Sequence, residues 1–405
     1  MKKILIWILK IIFTIIIVII LYLNISLYYN PTFINSKGQN YNQSVYYQLQ
    51  HLKNELQNGA GNQMQMYFPE GFLFINSLYG LSWCNTIKSL DSSSPIYQEG
   101  IQEINWVINE VSSEEAKNIF DPSLPLSYGA FYTGWTNYLL GSKLSLQKAK
   151  ERNLDEVRKF KNTCSRISQA IVNSNTPYLE SYGGLSWPAD NTCAVASLSL
   201  HDEILEPKYE KVISDWIDKV KQSLEPSSGL IPHESDNITG ASIGNARGSS
   251  QSLILNFLSE IDPKFAADQF KIYKALFLDY RFGLPGIREY PKGIIGAGDI
   301  DSGPILLEIG GAASIVGQKT MLKFGDINTY KGLRNSIEGF GVGFTFNSRK
   351  KYILGKLPIA DAFICWSNSV ENQYVYEKSN WRIRFQLISI VLILILILVF
   401  LFKKL

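Results

Sequence analysis

Ser181 to His201 reads SYGGLSWPADNTCAVASLSLH. A Gly-rich turn bearing aromatics leads into a helix opened by Pro188 and Asp190, residue types that helix starts favour. Beyond Asp190 this helix carries almost no charge, and Ala194, Ala196, Ser197 and Ser199 permit close approach, so it belongs inside a packed assembly. Looser copies recur on both sides: LYGLSWCNTIKSL from Leu78, SYGAFYTGWTNYLL from Ser127, GNARGSSQSLILNF from Gly244 and GAGDIDSGPILLEI from Gly296.

Between the copies lie amphipathic stretches at 95–111, 143–173, 206–223, 263–279 and 317–336, with Tyr41–Leu56 ahead of the first. The stretch 206–223 sets Glu206, Lys208, Glu210, Lys211, Asp215, Asp218, Lys219 and Lys221 on a solvated face, so helices of this type lie outside. Small-residue helices are expected to start near 70, 130, 188, 246, 302 and 358. Tyr79, Tyr128 and Tyr182 stand 49 and 54 positions apart, and a two-helix unit near that length indicates stacked hairpins. Alternating inner and outer helices predict an all-α domain over 41–380, a closed α/α toroid of about six hairpins; an open solenoid is the rival arrangement. Little sheet is expected beyond a small hairpin pairing 344–346 with 352–354.

Lys2 and Lys3 precede an apolar run from Ile4 to Leu23 that can span a bilayer, and no small-residue cleavage site follows, so residues 1–25 read as an uncleaved anchor. Residues 26–40 are polar with Pro and Gly, as in a linker, and a second apolar run at 385–402 ends in Lys403 and Lys404. The basic residues flanking the first span predict a cytoplasmic N-terminus and a two-pass membrane protein whose large domain lies outside the cytoplasm. The bilayer is thus the expected partner, and a net charge of +3 in 405 residues gives no reason to expect nucleic acid. Cys84, Cys164, Cys193 and Cys365 lack C-x-x-C spacing and read as buried thiols, with a Cys164–Cys193 disulfide as the alternative. Three scattered histidines point to no metal site, and no cofactor is indicated.

In stacked hairpins the loops entering the inner helices gather at one end, and the chemically distinctive residues sit in those loops. Candidate acid/base carboxylates are Glu70, Asp190, Glu234, Asp299 and Asp301; candidate binding residues are Trp83, Tyr128, Trp135, Trp187, His233 and Arg247. Carboxylates among Trp and Tyr suit a carbohydrate, because flat rings stack on sugar faces while acids protonate the leaving oxygen or activate water. Each has a plainer reading: Asp190 and Asp301 as helix caps, Glu70 as a first-turn residue, Arg247 as a buried ion-pair partner of one of the acids, the aromatics as core. Asp299 and Asp301, two apart between glycines, are the strongest pair for chemistry.

With entry loops such as SYGGLSWPADN and GAGDIDSGP, the region 41–375 resembles the six-hairpin α/α toroid superfamily of glycoside hydrolases, sugar epimerases and polysaccharide lyases, and bacterial membrane proteins with a helical soluble domain. The linalool dehydratase-isomerase group is similar in fold, but Cys193 and His201 match no motif of it. The resemblance implies a membrane-anchored protein that binds and hydrolyses or modifies a cell-envelope glycan. The alternatives are a non-catalytic ligand-binding or assembly protein of the envelope, and a lyase or isomerase acting on a lipid or terpenoid.

Overall fold

The computed structural model describes residues 2–36, 39–299, 302–370 and 380–402. It is predominantly helical. In chain order the α-helices are α1 (Lys2–Ser26), α2 (Gln43–Gln57), α3 (Ala60–Tyr67), α4 (Gly71–Ile87), α5 (Pro95–Val111), α6 (Glu114–Lys117), α7 (Gly129–Ser145) and α8 (Leu154–Asn173). They continue with α9 (Pro188–Ile204), α10 (Glu210–Gln222), α11 (Gly248–Ile261), α12 (Pro263–Phe277), α13 (Gly311–Lys323), α14 (Ile327–Phe340), α15 (Pro358–Asn368) and α16 (Ile383–Phe402).

Two kinds of helix alternate. In α8, Phe160, Cys164, Ile167 and Ile171 form one buried stripe on an otherwise wet helix. In α9, all but the last turns are buried, because small side chains let neighbours close in from several sides. The closeness is measurable at Gly134 of α7, where a Cβ would lie 3.0 Å from the backbone nitrogen of Ala194 in α9. Helices α4, α7, α9, α11, α13 and α15 each pack on the next, and α15 packs back on α4. The wetter helices cover them: α5 lies on α4, α8 on α7 and α9, α10 on α9, α12 on α11, α14 on α13, and α2 on α15 and α4.

One pair of helices lies apart from its expected place. Its inner helix near 302 begins at Gly311, and its outer helix 317–336 is cut at Gly325 (φ 76°), where Asp326 caps α14 by accepting from the Thr329 N–H. The intervening residues form one of five two-stranded antiparallel ribbons among the described residues: 33–36 with 39–42, 234–235 with 242–243, 278–281 with 284–287, 305–306 with 309–310, and 344–346 with 349–351. The last is the expected late hairpin, with 349–351 rather than 352–354 as its second strand. All four cysteines are free and buried, so the Cys164–Cys193 disulfide is not formed; the Cys164 sulfur instead accepts from Asn137 Nδ2 at 3.2 Å.

One described helix is long and apolar enough to cross a membrane, over Trp7–Ser26 of α1; α16 is apolar over the shorter Ile383–Val399. The two pack together with Asn24 Nδ2 donating to Ser389 Oγ at 3.0 Å and Gln386 Nε2 to the Tyr28 hydroxyl at 2.5 Å, so they run antiparallel. Past α1 the chain is fastened to α14: Asn335 Nδ2 donates to the carbonyls of Leu27 (2.8 Å) and Tyr29 (3.0 Å).

Candidate functional site

The segments entering the inner helices are stitched to one another by backbone bonds. Ala130 N–H at the start of α7 donates to the Glu180 carbonyl (2.8 Å), and Ser235 N–H to the Ser186 carbonyl (3.0 Å). Gly248 N–H at the start of α11 donates to the Glu289 carbonyl (2.8 Å). The approach is so close that a Cβ on Gly248 would overlap the Arg288 carbonyl oxygen, and one on Gly129 (φ 76°) that of Ser181.

Arg247, the residue before α11, is the hub of the densest polar cluster at these entries. Its Nε donates to Glu289 Oε1 at 2.8 Å, and its two terminal nitrogens grip both oxygens of Asp299, one of them at 3.0 Å. The same guanidinium lies 3.5 Å from His233 Nε2 and over the Tyr290 ring at 5.5 Å. With a donor aimed at Nε2, that nitrogen presents its lone pair, so Nδ1 carries the hydrogen and donates to Ser250 Oγ at 2.5 Å. His233 is therefore a brace for Arg247 and not a base for Ser250.

The acids of the cluster are unlike in environment. Asp299 keeps 46% of its side chain exposed. Partial burial works against its charge, but the Arg247 hydrogen bonds and the Ser302 N–H (2.9 Å) outweigh it and hold the carboxyl well below the usual carboxylate range. Glu289 is fully buried, and burial pushes its carboxyl up against the opposing pull of Arg247. Its Oε1 also accepts from Ser249 Oγ at 2.7 Å, while Oε2 has no hydrogen-bond partner among the described residues. Burial, reinforced by the Arg247 charge, lowers His233 to about 4, so the ring is neutral near pH 7.

The structure thus brings together three predicted residues, His233, Arg247 and Asp299, and disperses others. Asp301 lies outside the described residues. Glu234, next to His233, is half-buried at the start of a strand, and its carboxylate has no ion-pair partner among the described residues. Asp190 is not the helix cap: Trp187 occupies that position, and Asp190 is the third helical residue, buried in α9. Glu70 immediately precedes α4 and accepts the Tyr182 hydroxyl, in the loop whose Tyr182 packs edge-on against Trp187 with ring centres 5.2 Å apart. Trp187 and Tyr128 are half-buried at the entries to α9 and α7.

Trp83 and Trp135 were expected at the mouth and lie instead in the core, fully buried. Trp83 meets Tyr46 and Tyr79, and Trp135 meets Phe74, Phe257 and Trp366. Glu289, Ser250 and Tyr290 escaped the sequence reading. Glu289 and Tyr290 lie in GIREYPKG, residues 286–293, about forty residues beyond the α11 start that Glu289 braces, although an acid and an aromatic between Gly residues are the same signal; Ser250 lies three residues after Arg247 in GNARGSS.

No family model matches the chain and no curated protein is similar to it.

Proposed function

We propose that the chain is a membrane-anchored α/α toroid, its helical domain outside the cytoplasm, that binds and hydrolyses or otherwise modifies an envelope glycan at the end where the inner helices begin. The toroid reading is supported by the unbroken succession of contacts from α4 through α15 and back to α4. The anchor reading rests on Trp7–Ser26 and on Lys2 and Lys3 ahead of it, with α16 as the second span beside α1.

The observation that carries the chemistry is Asp299: an accessible carboxylate, fixed in place by a guanidinium, can stabilise a developing oxocarbenium ion. Glu70, at the entry to α4, is the candidate second carboxylate, and Trp187, half-buried at the entry to α9, is the aromatic surface on which a sugar ring would stack. In the purified full-length protein, Asp299→Asn and Glu70→Gln are expected to abolish release of new reducing ends from envelope polysaccharide while leaving its binding within a few-fold. A second reading, a non-catalytic receptor using the same mouth, is favoured by the two-pronged grip of Arg247 on Asp299, which occupies the lone pairs a catalyst would use. Glycan retained without product in the unsubstituted protein would decide for the receptor.

A further inference from the structure

Among the large apolar side chains that the domain exposes, two groups stand beside the paired apolar helices. On the α16 side are Phe282, Leu306 and Leu307. Their ribbons are tied together by Arg281, whose Nε donates to the Leu307 carbonyl at 2.8 Å, and a Cβ on Gly283 would lie 2.9 Å from the backbone nitrogen of Phe385 at the base of α16. On the α1 side are Phe340, Ile353 and Leu354. Ile353 N–H donates to the Gly341 carbonyl at 2.7 Å, and a Cβ on Gly339 would lie 3.2 Å from Leu23 of α1.

Four of the six occupy left-handed backbone, at φ 51° (Phe282), 50° (Leu307), 49° (Ile353) and 57° (Leu354). Such positions favour Gly or Asn, and water rewards neither the strained backbone nor the exposed apolar surface. Arg384 and Lys356, both exposed in the same zone, have no ion-pair partner among the described residues. Apolar tips interspersed with free cations are what an interfacial membrane surface requires.

All of this lies at one end of the domain. Helix α14 turns back on α13 through Phe324–Asp326, so its last residue, Phe340, stands beside the start of α13, at the end where the inner helices open. Leu23 lies against Gly339 while Leu27 lies against Asn335, so α1, followed back toward its N-terminus, leaves the domain past that same end.

We infer that this end of the domain docks on the bilayer, its exposed apolar turns and the end of α14 sunk in the headgroup–acyl boundary and Arg384 and Lys356 on anionic headgroups. The inference rests on the membrane-anchored reading above and deepens it: the mouth opens at headgroup level, and the glycan it meets is one carried on a membrane lipid.

The buried native thiols allow an environment-sensitive fluorophore to be placed on introduced cysteines in the full chain, reconstituted into phosphatidylglycerol-containing vesicles with or without doxyl-labelled lipid. Leu306→Cys and Phe340→Cys report the docking surface; Ile16→Cys in α1 reports insertion; Leu154→Cys, exposed at the opposite end where α8 begins, reports bulk solvent. Labels at 16, 306 and 340 are each expected to lose about half of their emission to the doxyl lipid, and the label at 154 little. Quenching at 16 with 306 and 340 as bright as 154 would overturn the docking and leave the anchor standing. Absence of quenching at 16 would overturn the anchor, and the docking with it.

Discussion

Arg247 holds Asp299 by both carboxylate oxygens across 52 positions of sequence, and the same guanidinium reaches back to the buried Glu289. One cation therefore fixes the loop 290–299 over the start of α11 and, with the Ser302 N–H, holds the Asp299 carboxyl below the usual carboxylate range.

Asp299→Asn is expected to destabilise the protein by about 1 kcal/mol at pH 7, a modest cost because nearly half of the carboxylate faces solvent. A carboxyl lowered by folding contributes stability above its unfolded value near 3.9, and that contribution is lost as pH falls toward its folded value. Urea unfolding of both proteins should show the gap intact from pH 7 to about pH 5, narrowing below about pH 4.

His233 gives a separate pH signature. Its lowered folded value means that the unfolded chain binds the extra proton between about 6.5 and about 4, so stability is complete above that window and declines as pH falls through it, by up to about 3 kcal/mol. In His233→Gln the decline across this window should disappear, whereas an unchanged slope would show that the ring titrates freely.

Lys319 in α13 is 5% exposed, rests 3.5 Å above the Trp366 ring and has no carboxylate partner among the described residues. Burial, with Lys323 nearby, drives its amine well below the ordinary lysine range. Lys319→Met keeps the packing and removes the desolvated charge, so a gain of about 1–2 kcal/mol at pH 7 is expected. The penalty in the native protein is relieved as pH rises toward about 10.4, and the two thermal midpoints should converge there.

Gly248→Ala places a methyl group on the Arg288 carbonyl oxygen, in backbone that cannot yield without moving Glu289. A loss of about 3 kcal/mol is expected in chemical unfolding, together with loss of the acid-dependent contribution of Asp299, since the Arg247 cluster is built on that contact.

The alternation of small-residue and amphipathic stretches was enough to find nearly every helix, since burial on one face or on all faces is written directly in residue type. The entry at Ser181 was legible for the same reason. Glycine was not. In LYGLSW and YTGW it suggested turns, which is why Trp83 and Trp135 were placed at the mouth. Gly80 and Gly134 are in fact helix-interior contacts, where a Cβ would press on Leu139 or Ala194. The candidate site was half visible: His233, Arg247 and Asp299 declared themselves by type, but that they share one guanidinium with Glu289 depends on a loop path that no local spacing encodes.

The contact between α4 and α15 also bears on how the molecule is made. Asn85 Nδ2 donates to Ser369 Oγ at 2.9 Å, between residues 284 positions apart. At about 5–20 residues per second, the ribosome finishes the second partner roughly 15–55 s after the first. Throughout that interval the flank of α4 destined for α15 has nothing to cover it, so a nascent chain stalled before Pro358 presents an adhesive edge to holdase chaperones, and the last inner helix acts as the stopper that ends its exposure.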